Sequence, residues 1–241
     1  MANLKTVTSI AALSALVESQ FKDDKSSTVL YRGHGAASFV LRPKIGRLLP
    51  SENSVENTVN ESLMLELFRR QSTDRLAIAV ADDWELLAVA QHHGLATRLL
   101  DWTRSPLVAL YFAVCIEHET HHEDGRPKRE DAEIIAWRCL KQDLTNPLPS
   151  CGPLRIKEAL RYIPRIVTPR LRAQSGVFTV HPTPTEEFQL DAGHLDRIRI
   201  PHANRKPLKD SLFRHGIHEG IMFPDLDGLA RHIQWCQTKS Y

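Results

Sequence analysis

The segment that most restricts this chain's fold is residues 91–114, where QHHGLATRLLDWTRS runs without a break into PLVALYFAV. The second part is apolar at every position, and a helix apolar on all sides belongs in the interior. A core element therefore sits directly behind a run rich in imidazole, guanidinium, carboxylate and hydroxyl groups. Polar groups placed against a core need hydrogen-bond partners. A closed network within the chain and a ligand site both meet that need, and the residues leave the two open. The punctuation around the run is clearer. DDWELLAVAQHHG (82–94) is a helix that starts at Asp82 or Asp83 and stops at Gly94. Residues 105–118 form the next, with Ser105 as its cap and Pro106 in its first turn.

Other segments carry their own periodicity. Ser9 caps a first helix with Ile10, Leu13, Leu16 and Val17 at helical spacing. STVLYRGHG (27–35) is a strand ending in a sharp turn. Val55, Val59, Leu63, Leu67 and Phe68 give residues 54–70 one apolar face. Strands are expected at 132–140, 176–182 and 195–201, and helices at 207–215 and 225–236. Asp225 and Asp227 enter the last of these as turn and cap residues, because the rest of a calcium-loop spacing is absent. Helices early and strands later indicate an α+β fold. No Gly/Ser-rich or Pro-rich linker divides the chain, and 42% hydrophobic content suffices for a single domain.

Charge excludes little. With 31 basic and 29 acidic residues the net charge is +2, so no general attraction to nucleic acid or an anionic membrane follows, while a local basic patch stays compatible. No apolar run is long enough to span a bilayer. Cys115, Cys139, Cys151 and Cys236 are widely spaced without a C-x-x-C, which predicts neither a disulfide framework nor a structural zinc. The N-terminal stretch lacks the basic start and apolar core of a signal peptide, so a cytoplasmic location with no membrane partner is expected.

Motifs then narrow the chemistry. His118, Glu119 and His122 spell H-E-x-x-H, but their polar surroundings at a helix end fit a solvated terminus better than a zinc site, and no metal is expected. G-x-S-x-G, the P-loop and G-x-G-x-x-G are all missing. In LYRGHG, Arg32 offers a planar fork of donors to a carboxylate or phosphate, and Gly33 lets a backbone come close. A structural pair between Arg32 and Asp101 or Glu66 is the alternative. Gln91, His92, Thr97, Arg98, Asp101, Thr103 and Ser105 supply donors and acceptors suited to phosphate or ribose oxygens. PRLRAQSGVFTVHP (169–182) sets Arg170, Arg172 and Gln174 before a strand. Gln174 shares a pocket with Arg32 if their strands are neighbours.

Tyr31-Arg32-Gly33, QHHGLATRLLDWTRSPLVALYFA (91–113), RLRAQSGVFTVHP (170–182) and GIHEGIMFPDLDGLARHI (216–233) together resemble the FRG domain family. The resemblance implies a domain over residues 28–236 behind an N-terminal helical segment, 1–27. A more distant resemblance joins this pattern to ADP-ribosyltransferases, whose cores open on an aromatic-Arg-Gly strand and continue through a Ser-Thr-Ser-like segment. Thr103-Arg104-Ser105 with Ala109 and Phe112 loosely matches that second element. This implies a split β-sheet with flanking helices around an NAD cleft. It also implies NAD as cosubstrate, with Tyr31, Arg32 and Gly33 at the pyrophosphate and Thr103 or Ser105 bracing the site. Arg32, Gln174 and Glu219 become the catalytic candidates, Gln174 and Glu219 standing where a carboxylate is needed. The acceptor is a macromolecule, protein or nucleic acid. A toxin or phage-defence effector with a cognate antitoxin or regulatory partner is the implied role. NAD hydrolysis is an alternative, as is a non-catalytic module in which Arg32, His92, Arg98 and Arg172 bind a phosphate-bearing ligand or nucleic acid.

Overall fold

The computed structural model describes residues 5–22, 24–48, 60–76, 79–115, 120–121, 127–141, 148–165, 168–189 and 195–238. Val55, Val59 and the H-E-x-x-H residues His118, Glu119 and His122 lie outside them. Strands are β1 (Lys5–Thr6), β2 (Ser27–His34), β3 (Leu99–Thr103), β4 (Thr120–His121), β5 (Pro127–Lys128), β6 (Ala132–Leu140), β7 (Leu160–Tyr162), β8 (Gly176–Val180) and β9 (Leu195–Ile200). Helices are α1 (Ile10–Gln20), α2 (Lys44–Leu48), α3 (Glu61–Ser72), α4 (Asp83–His92), α5 (Pro106–Cys115), α6 (Pro169–Ala173), α7 (Arg205–Arg214), α8 (Glu219–Met222) and α9 (Leu226–Thr238). The protein is a mixed α+β fold with one open seven-stranded sheet, ordered β1-β9-β6-β2-β3-β8-β7, and helices against it. Every pairing in that sheet is antiparallel except β1 with β9.

Local chemistry sets the helix ends. The Ser9 side chain accepts from the Ala12 amide at the start of α1. Asp82 does the same for Glu85, and the buried Glu85 carboxylate reaches back to the Ala81 amide, so α4 opens on reciprocal caps. Its end is closed by Gly94 at φ +88°, with the Leu95 amide returning to the Ala90 carbonyl. Ser105 caps α5 through the Val108 amide. Asp225 accepts from the Gly228 amide as α9 begins, the capping role expected of it.

α5 is the interior helix that its sequence demands. Val108, Ala109, Leu110, Tyr111, Ala113 and Val114 are all buried, against Val29 and Tyr31 of β2, Ile134 of β6 and Ile198 of β9. It can lie this close because Gly33 has no side chain. A Cβ there would stand 2.0 Å from the Ala109 carbonyl oxygen and 2.7 Å from the Ala113 amide nitrogen. The backbone that Gly33 admits is therefore that of α5. α1 joins the same core through Ile10 and Leu13, and β1 extends the sheet edge, so the segment before residue 27 is built into this body. A second cluster holds α4 against Leu99, Phe178 and Val180, and a third covers the opposite sheet face with Leu30, Leu100, Trp102 and Trp137.

Two expectations change. In α3, Leu65 is buried, whereas Leu63 and Leu67 are 53% and 44% exposed. The helix phase is set by Glu61, whose carboxylate takes hydrogen bonds from the Arg98 amide and Nε at 2.9 and 2.8 Å. Anchored there, the helix turns Leu65, Phe68 and Ser72 inward, because they follow Glu61 at helical spacing. The order of elements also interleaves: β2 and β3 come early, and β3 occupies the short LLDWT segment, whose apolar pattern Asp101 interrupts.

The sheet has one weak seam, between β2 and β3. β2 and β6 pair over eight positions, and β3 and β8 over five, but β2 and β3 meet only at Tyr31 opposite Thr103. Beyond that single pair the two strands part.

Candidate functional site

Where β2 leaves β3, the Arg32 side chain bridges the gap. Its Nη1 donates to the Asp101 carbonyl at 2.6 Å, a bond to β3 backbone made by a side chain instead of a ladder amide. Arg32 Nε donates to His34 Nε2 at 3.1 Å. An imidazole that accepts on Nε2 is neutral, with its proton on Nδ1. Burial holds His34 in that state by lowering its pKa, against the raising influence of the buried Glu133, whose Oε1 lies 3.6 Å from Nδ1. Arg197 also donates to Glu133. The Arg32 guanidinium is thus held by His34 on one side and by the β3 backbone on the other.

A cleft of about 530 Å³ opens beside this seam, within the size range of small-molecule sites. β2, β3, the segment 38–47, the end of α4, and α6 with the start of β8 form its walls. Arg32, Arg42, Lys44, Arg47 and Arg170 line it, and Asp101 is the carboxylate among its described lining residues. Phe39, Phe112, Trp102 and Phe178 supply the apolar surface. Burial lowers the pKa of Arg32, Arg47 and Arg170, and in each the Asp101 carboxylate works in the opposite direction. Guanidinium groups remain charged at neutral pH. Three guanidinium groups and Asp101 therefore line a partly desolvated cleft, and Asp225 and Glu219, outside the lining, also raise the pKa of Arg170. Asp101 is 61% exposed, lies 3.9 Å from Arg32 Nη1 and accepts from Gln91 Nε2 at 3.0 Å.

The residues singled out in the sequence separate into three groups. Tyr31, Arg32, Gly33, Gln91, Asp101, Thr103 and Gln174 all line the cleft. Within it, the Thr103 hydroxyl donates to the Gln174 carbonyl at 2.7 Å, and Gln174 Nε2 donates to the Met222 carbonyl at 3.0 Å. Gln174 is next to Arg32's cleft although β3 stands between their strands. Asp101, rather than Glu66, is the acidic neighbour of Arg32, while Glu66 pairs with Arg70 at 2.7 Å.

A second group is absorbed by structure. The Thr97 hydroxyl donates to Gln91 Oε1 at 2.7 Å and accepts from the Leu99 amide. Arg98 forms a buried pair with Glu61 at 2.8 Å, side chains 11% and 10% exposed. Ser105 serves α5 as its cap. His92 holds α6, its carbonyl accepting from Arg170 and its Nδ1 3.3 Å from the Thr168 hydroxyl. Burial, then His93 and Arg170, push its pKa down to about 4. Arg172 is exposed outside the lining.

Glu219 stands alone in the third group. It lines a separate cavity of about 350 Å³ between α5, α7 and α9. There it accepts from the Tyr111 hydroxyl and from Arg231 Nε, the latter at 2.7 Å. The structure does not bring Glu219 to Arg32.

Arg42, Lys44, Arg47 and Phe39 belong to no motif in the sequence. One signal marks them: from Lys25 to Ser51 there is no Asp or Glu, while Lys25, Arg32, Arg42, Lys44 and Arg47 all fall in that span. Among the described residues no group of three or more His, Cys, Asp or Glu is placed to hold a metal ion, and no helix is long and apolar enough to cross a membrane.

No curated protein and no solved structure matches the chain. The FRG domain model matches residues 27–123, a span that holds β2, the basic segment, α4, β3 and α5. With its Tyr-Arg-Gly strand and its QHHG-to-YFA segment both inside that match, the chain carries an FRG domain.

Proposed function

We propose that the cleft binds a phosphate-bearing nucleotide, with NAD as the cosubstrate, and that the protein transfers ADP-ribose to a macromolecule. One observation carries this reading: Arg32, Arg47 and Arg170 line a single cleft in which Asp101, 3.9 Å from Arg32 Nη1, is the carboxylate among the described lining residues. Their excess positive charge, facing an aromatic-walled cleft, suits a pyrophosphate flanked by flat rings. Planar guanidinium forks bind phosphate oxygens in pairs, and Phe39 and Phe112 offer faces to the rings.

In the transfer itself, the bond between ribose C1′ and the nicotinamide nitrogen breaks, and nicotinamide leaves with the electron pair. Positive charge develops on the ribose. Asp101, the carboxylate that shares the cleft with Arg32, is the group we assign to stabilise it by preorganised electrostatics. Gln91 orients Asp101, and Thr97 in turn orients Gln91. The acceptor's lone pair then bonds C1′ and its proton passes to water. This assignment replaces Gln174 and Glu219 as the source of the carboxylate: Gln174 carries a neutral amide, and Glu219 lies in the other cavity.

Purified protein incubated with NAD tests the reading. Release of nicotinamide, with ADP-ribose label appearing on a macromolecule from cell extract, supports it. Nicotinamide release without labelled acceptor selects NAD hydrolysis. A rise in melting temperature with ADP-ribose but no nicotinamide release selects the non-catalytic phosphate-binding module.

A further inference from the structure

The cleft holds more positive charge than a dinucleotide needs, and the surplus is on one wall. Beyond Arg32, Arg47 and Arg170, which the nucleotide reading assigns to the pyrophosphate, Arg42 and Lys44 line the wall formed by residues 38–47. Lys44 is exposed. Among the described residues, Lys44 Nζ donates to the Gly94 carbonyl at 2.9 Å and pairs with no carboxylate. Arg42 is half-buried, and its Nε is enclosed without a hydrogen-bond partner among the described residues. The chain as a whole is nearly neutral at +2, so this local excess is not a by-product of a basic protein. Beside these cations, the rim carries the half-buried Phe39 and the 41% exposed Val40.

From this arrangement we infer that the acceptor is a single-stranded nucleic acid, tracked along the 38–47 wall by its phosphates. A row of cations next to an aromatic ring is what a single strand uses, with phosphates on the charges and a base on the ring. The described lining of this wall carries cations and no carboxylate, while Glu130, from outside the lining, accepts from the Ser38 amide at 3.3 Å. A duplex keeps its bases stacked and out of reach of a cleft this size, so an unpaired strand fits where a duplex does not. The inference rests on the NAD reading, because without a donor nucleotide there is nothing to transfer.

The test uses the full chain and a fluorescent single-stranded oligonucleotide, first without NAD. Wild-type protein binds it, and log affinity falls with log salt by about 0.7 for each phosphate contact on a single strand. Arg42→Glu/Lys44→Glu, on this wall but outside the residues assigned to the pyrophosphate, keeps the folded spectrum, weakens binding and flattens the salt slope by more than 1, roughly twice that per-contact value. Lys206→Glu/Arg214→Glu, at exposed positions on α7, makes the same change in net charge away from the cleft and leaves binding intact. With NAD added, label appears on the oligonucleotide. Absence of oligonucleotide binding at low salt, or equal losses in both double variants, overturns the inference while ADP-ribose binding keeps the NAD reading standing. Label on protein alone overturns it in the same way. Oligonucleotide binding with no ADP-ribose binding overturns the acceptor role and the NAD reading together.

Discussion

Gly33→Ala discriminates between two uses of the glycine in the Tyr-Arg-Gly strand. If the glycine makes room for a ligand, alanine lowers affinity and leaves the free protein's stability alone. The geometry favours the other use. An alanine Cβ would lie 2.0 Å from the Ala109 oxygen and 2.7 Å from the Ala113 nitrogen, both backbone atoms of α5. Neither can move aside like a flexible side-chain end, so the whole helix must shift by more than an ångström. That shift loosens Val108, Leu110, Tyr111 and Val114 from their packing. Overpacking of this kind costs about 3 kcal/mol, at the upper end of the usual range. Gly33 does not have positive φ, so alanine also restricts the unfolded chain and returns up to about 1 kcal/mol. A net loss of about 2 kcal/mol lowers the melting temperature of a chain this size by roughly 4–8 °C. Thermal unfolding followed by circular dichroism, without ligand, measures it. An unchanged melting temperature together with lost ADP-ribose binding would refute the packing argument.

Four further outcomes are expected. Arg98→Ala removes the side-chain partner of the half-buried Glu61 carboxylate, which keeps its hydrogen bond from the residue-98 amide, and costs about 1–3 kcal/mol in chemical denaturation, while ADP-ribose affinity is retained because Arg98 is outside the cleft. Asp101→Asn stops nicotinamide release without weakening ADP-ribose binding, since it removes a negative charge from beside the phosphates, whereas Glu219→Gln changes neither measurement. The His181 imidazole is pushed down to about 4, chiefly by burial and then by the charges of Arg32 and Arg98. Its folded pKa lies below its unfolded value, so its contribution is present above about pH 6.5 and is lost on the way to pH 4. That loss is on the order of 3 kcal/mol at about 1.4 kcal/mol per tenfold step. His181→Gln, which keeps an acceptor for the Thr179 hydroxyl, flattens this acid dependence in urea titrations at successive pH values.

Much of the framework is legible where one signal dominates. The caps at Ser9, Asp82 and Ser105, the stop at Gly94 and the all-apolar α5 each rest on local chemistry that tertiary packing leaves intact. β3 is not legible, because LLDWT is short and its Asp101 interrupts the apolar pattern. Its strand state comes from pairing with β8, which no local signal reports. The buried face of α3 misleads for a related reason: the Glu61–Arg98 anchor overrides the row of Leu63 and Leu67. Within the site, Arg32, Gln91, Asp101, Thr103 and Gln174 can be selected by residue type. Their common cleft depends on the one-pair seam between β2 and β3, a property of register. The basic wall has no periodicity to draw notice, and only the absence of acids from residue 25 to 51 marks it.

The central claim is that Arg32, Arg47 and Arg170, lining one cleft with Asp101, form a receptor for a nucleotide pyrophosphate. Calorimetric titration of ADP-ribose into the wild type and into Arg47→Ala/Arg170→Ala tests it most directly. Saturable binding by the wild type that weakens with added salt and is lost in the double variant, while that variant's folded spectrum persists, is the predicted result. No binding by the wild type, or equal affinity in the two proteins, contradicts the account.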